Sequence, residues 1–175
     1  MKGDGVNKYY NMLRMYNMLE CDTNDLGSTI HFDKRNLDTF GIRVYNLFFM
    51  SCNLFELAAK EIAGDPESLM STWKKEPLIC QYSKVELTFL PMSYKFKPLE
   101  ALGEVDVNKR NLTWWQDYNS VKHNLTLIQK ATLQNLIYAI GSAGLLVSDI
   151  SRPPIGVIYS NKQSVLFDGL YFPSL

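Results

Sequence analysis

The chain of 175 residues has little cysteine, only two histidines and no excess of either charge. Each shortage closes off a class of function. Cys21, Cys52 and Cys80 are odd in number and widely spaced, with no Cys-x-x-Cys and no Cys/His pairing. That pattern supplies neither a structural zinc site nor a disulfide framework, and it fits a reducing cytoplasm. Eighteen Lys and Arg balance eighteen Asp and Glu, giving a formal net charge of +0 and a pI near 6.7. No global field draws the chain to nucleic acid, so RNA or DNA binding has to rest on a local patch. A neutral chain near its pI also associates readily, with itself or with a partner. Long hydrophobic runs are missing too. The longest, Leu136 to Val147, is too short to cross a bilayer and is interrupted by Gly141 and Ser142. The start, Met1-Lys2-Gly3-Asp4-Gly5, leads into a polar, tyrosine-rich segment without an apolar signal core. A soluble cytoplasmic protein with no membrane partner is expected, and the sequons at Asn111 and Asn124 are then idle.

The usual catalytic signatures are absent as well. There is no Gly-x-Ser-x-Gly, no cysteine in a nucleophile signature and no glycine loop of the kind that cradles phosphate. Carboxylates do not cluster at metal-ligand spacing, and His31 sits in loop-like sequence. No cofactor and no metal are expected.

What remains is a composition of 46% hydrophobic and 21% charged residues, enough to bury a core in one domain over residues 1–175. Apolar spacing predicts a first helix over Lys8 to Glu20, a loop over Asp22 to Asp33, and a strong helix from Asn36 to Ala63 ended by Gly64. Asp65-Pro66 reads as a cap and first-turn proline opening a short helix through Trp73. An irregular insertion around 74–110 follows, with weak alternation at Val85 to Phe89. A helix over Leu112 to His123 and a long one over Leu127 to Ser148 come next. A hairpin over 156–172, turning at Ser160-Asn161-Lys162, closes the chain. The expected fold is mainly α, an up-and-down helical bundle with a small C-terminal β-hairpin.

The chemistry concentrates in Trp114-Trp115-Gln116-Asp117-Tyr118-Asn119-Ser120-Val121-Lys122-His123. At about 100° per residue, Trp115, Asn119, Lys122 and His123 fall within roughly a quarter-turn of one another. Such a face either buries a polar network or presents it to a ligand. Asn119, one turn from His123, suits a tautomer-holding partner for the imidazole. On the bland reading the same bond fixes bundle geometry, and the tryptophans and Tyr118 are core. On the sharper reading the rings are a stacking platform for unpaired bases, with Trp115 and Arg110 as substrate contacts.

Trp115-x-x-Tyr118-Asn119-x-x-Lys122-His123, followed by Lys130-Ala131-Thr132-Leu133-Gln134-Asn135, resembles the HEPN superfamily, closest to a poorly characterised bacterial branch. Thr39-Phe40-Gly41 and Phe55-Glu56-x-x-x-Lys60 extend the likeness, which spans about Asp33 to Asp149. The resemblance implies a helical bundle, a homodimer with a polar groove where two motif copies meet, and a role on RNA. Many members are metal-independent ribonucleases in toxin–antitoxin and antiviral defence systems. Their motif is an arginine, usually followed by a polar residue, and then a histidine. Here His123 takes the histidine position and Asn119 the polar one, while the arginine position falls on Tyr118. That departure matters, because Lys122 is the nearby cation and lacks arginine's bidentate fork. Carried over, His123 is the acid/base, Asn119 its orienting group, Lys122 the phosphate contact and Tyr118 a hydrogen-bond donor in the arginine's place. The alternative is a non-catalytic module binding a nucleotide, RNA or protein. Either reading implies an operon-encoded protein partner.

Overall fold

The computed structural model describes residues 3–150 and 161–173, and the chain is mainly helical with small antiparallel sheets. The helices are α1 (Gly3–Leu26), α2 (Ile42–Ala63), α3 (Met70–Trp73), α4 (Pro77–Cys80), α5 (Thr113–His123) and α6 (Leu133–Ile150). The strands are β1 (Leu87–Phe89), β2 (Tyr94–Phe96), β3 (Asn161–Gln163), β4 (Phe167–Asp168) and β5 (Tyr171–Pro173).

α2 and α6 form the central pair, and α1 packs on both. α6 is apolar enough to pass for a membrane span by length, but Leu133, Leu136, Ile137, Ile140 and Leu146 are buried in the core. Gly144 is what lets α1 approach it. A Cβ there would sit 2.5 Å from Leu170 and 2.8 Å from the Tyr16 ring, which no side chain tolerates without movement. α2 ends where glycine permits: Gly64 adopts φ 67, and its N–H donates to the Glu61 and Lys60 carbonyls.

Several boundaries depart from the sequence reading, each because tertiary contact overrides local pattern. α1 runs past Glu20 to Leu26, since Thr23 and Leu26 are themselves buried and reward the extra turns. α2 begins at Ile42 rather than Asn36, because Phe40 instead forms an antiparallel bridge with Thr132. That bridge also delays α6: Leu133 and Gln134 donate their N–H groups to the Thr39 and Leu37 carbonyls, and residues 125–130 form a 3₁₀ segment capped by Asn124. The short helix expected from Pro66 is only α3. The Asp65 carboxylate accepts from the Glu67 N–H in a turn instead.

The C-terminal hairpin is rearranged. Its expected first strand at 156–159 lies outside the described residues, and Asn161 and Lys162 of the expected turn lie in strand β3, which pairs with β5. β4 joins β1 instead, giving the order β2-β1-β4. The carboxylate of Glu20, buried in α1, pins this segment by accepting from the Ser164 hydroxyl and from the Val165 N–H at 3.0 Å. An unpaired carboxylate there would be costly, so donors from the strand stretch satisfy it.

Candidate functional site

α5 starts after Leu112, which supplies no side-chain cap, and ends at Asn124. Its inner edge carries Trp114, Trp115, Tyr118 and Val121, all buried. Trp115 is 7% exposed and packs on Phe55, Trp73, Trp114 and Tyr118 with ring centroids 5.0–5.8 Å apart. Aromatic pairs of this kind add about 0.5–1.5 kcal/mol each beyond area burial. The Trp114 indole N–H donates to the Pro98 carbonyl at 3.1 Å. Neither tryptophan presents a face on which a base could stack.

Tyr118 is 0% exposed, and its hydroxyl donates to Asn53 Oδ1 on α2 at 2.8 Å. Burial, with Cys52 and Glu56 nearby, raises its pKa above the usual tyrosine value, so it remains a neutral hydroxyl. Phe49 packs edge-on against its ring at 4.9 Å. Tyr118 is therefore a hydrogen-bonded part of the α2–α5 contact.

Lys122 and His123 are exposed at the C-terminal end of α5. Lys122 Nζ lies 5.3 Å from the centroid of the Tyr118 ring, a cation–π contact. Asn119 is half-buried, and its Nδ2 donates to the Trp115 carbonyl one turn back at 3.1 Å. Asn119 and His123 thus share a face, but one of Asn119's two amide hydrogens goes to its own helix and no hydrogen bond joins the two side chains. On the facing helix Glu56 and Lys60 form the expected i, i+4 pair at 2.8 Å.

Arg110 is remote from this turn in its bonding. Its guanidinium donates to the Glu104 carbonyl at 2.6 Å and the Lys74 carbonyl at 2.9 Å, tying the insertion together. The second half of the quoted pattern has a similar task. Asp117 pairs with Lys130 at 3.0 Å, and Asn135 donates to Asp117 at 3.0 Å and to the Lys130 carbonyl at 2.8 Å. This network staples α5 to the start of α6.

Of the residues singled out from sequence, Asn119, Lys122 and His123 share the outer turns of α5, Tyr118 and Trp115 lie beneath them, and Arg110 stands apart. Asn53 was missed. Its signal was a carboxamide within the apolar run of α2, one turn before Glu56. Among the described residues no group of three His, Cys, Asp or Glu side chains is placed to hold a metal ion. The chain matches no family model, no curated protein and no solved structure in comparisons with known proteins.

Proposed function

We propose that this chain is a HEPN-like, up-and-down bundle of a bacterial defence or toxin-type system, acting on RNA through the outer turns of α5 as a homodimer. The observation that carries this reading is that Lys122, over the Tyr118 ring, and the next residue, His123, are both exposed at the C-terminal end of α5. An anionic strand laid along the α2–α5 edge meets the ammonium and the imidazole together. Cutting RNA without a metal needs a base for the 2′-hydroxyl proton and an acid for the leaving 5′-oxygen. His123 is the one histidine on this face, so the second proton-transfer group comes from the His123 of another copy. Lys122 meets the phosphorane as a point charge.

The position of Tyr118 favours a second reading, in which the groove binds RNA and an operon-encoded partner performs the chemistry. A neutral, committed hydroxyl replaces the family's cation. Losing one preorganised donor costs ~3 kcal/mol of transition-state stabilisation, roughly a hundredfold in rate. Total RNA and bulk tRNA, incubated with purified protein and chelator beside a His123→Ala control, separate the two. Cleavage that survives chelation and vanishes in the variant supports the nuclease. Retention of RNA without cleavage supports the binding module. Neither cleavage nor retention, by folded protein, overturns both.

A further inference from the structure

A concave feature lies at the N-terminal end of α5. A cleft of about 340 Å³ opens between the end of β2, the first turn of α5 and the first turn of α6. Two and a half helical turns separate Thr113, which lines it, from Lys122, so the cleft lies at the opposite end of α5 from the exposed Lys122 and His123. The volume falls in the range of small-molecule sites, roughly 300–1,000 Å³, and is too small for a helix or a duplex.

The lining selects the ligand. Gln134, Asn135, Thr113 and Tyr138 give carboxamides and hydroxyls, while Lys97 and Glu100 stand at the side with opposite charges. The Lys97–Glu100 contact is loose, at 4.0 Å, with the Glu100 side chain 74% exposed, so both are available to a ligand. The walls are fixed beforehand. Asn135 gives its amide hydrogens to Asp117 and to the Lys130 carbonyl, and Trp114 ties the floor to the Pro98 carbonyl. Tyr138 lies 3.5 Å from the Tyr94 hydroxyl. A pre-formed site of this kind spends little on ordering side chains. A bare anion would leave Glu100 and the remaining capacity of the Gln134 carboxamide without a partner.

We propose that this cleft binds a ribose phosphate bearing a base, the size and chemistry of a mononucleotide. Its phosphate meets Lys97, its ribose hydroxyls donate to Glu100, and its base edge pairs with the Gln134 carboxamide, which carries both a donor and an acceptor. The site is independent of the α5 groove, and its fate does not depend on the reading of His123.

The test is calorimetric titration of the full chain with AMP, GMP, CMP and UMP, beside the matching nucleosides and a short RNA carrying a 5′-phosphate. At least one nucleotide binds, its nucleoside binds more weakly, and Lys97→Ala or Gln134→Leu weakens binding at least about tenfold. Binding of the RNA end with the same dependence on Lys97 and Gln134 assigns the ribose phosphate to a strand terminus. Absence of binding by all nucleotides and by the RNA end overturns the proposal, as does binding that both substitutions leave intact.

Discussion

Trp114, Trp115, Tyr118 and Val121 on the inner edge of α5 are buried, whereas Lys122 and His123 at its outer turns meet solvent. Both edges belong to one polar-aromatic sequence pattern, which sequence alone leaves open between core packing and a ligand face. The fold does not. The inner edge spends its aromatic surface on Phe55 and Trp73 and its one hydroxyl on Asn53. The outer edge leaves a cation and an imidazole without a protein acceptor among the described residues. The lesson is that a side chain committed to a buried partner holds the helix in place, and an uncommitted one is left for ligand.

Substitutions on the two edges are expected to separate stability from activity, and the inner edge carries the largest effects. Tyr118→Arg puts an unpaired charge in the core and is expected to abolish cooperative thermal unfolding. A folded Tyr118→Arg protein with increased RNA cleavage would break the comparison. Trp115→Ala is expected to cost about 3–5 kcal/mol in denaturant unfolding, through lost burial and the cavity left behind. Tyr118→Phe removes one hydrogen bond and should cost about 1 kcal/mol.

That last variant also has a pH signature. The folded Tyr118 pKa is raised above 10.0, so its ionisation opposes the fold. Stability from the neutral hydroxyl is complete below the unfolded value and is lost as pH rises past it toward the folded one. Alkaline unfolding followed by circular dichroism should therefore begin at higher pH in Tyr118→Phe once the neutral-pH difference is subtracted. An unchanged alkaline limb would place the hydroxyl in solvent. The smallest stability effects belong to the outer edge, where Lys122→Ala and His123→Ala should each stay within about 0.5 kcal/mol of the parent.

Much of this division was legible in outline. The α5 limits, the Gly64 stop and the apolar stripe of α6 follow from spacing and from glycine's freedom at positive φ. The start of α6 was not, because Leu127 and Ile128 continue a helical pattern that only the Phe40–Thr132 bridge interrupts. Nor was the fate of Tyr118 and Arg110. Periodicity places a residue on a face, but their partners, Asn53 and the Lys74 carbonyl, lie far away in sequence. The C-terminal strands misled for the same reason: β4 pairs with β1, across most of the chain, rather than with its neighbours.

The most direct test joins both halves of the comparison in one variant, Lys122→Ala with His123→Ala. Its melting temperature and its retention of single-stranded RNA would be measured beside the parent protein. The account predicts an unchanged melting temperature with RNA retention lost. A double variant that holds RNA as the parent does, or that melts several degrees lower, would contradict the claim that the outer turns of α5 face a ligand rather than support the fold.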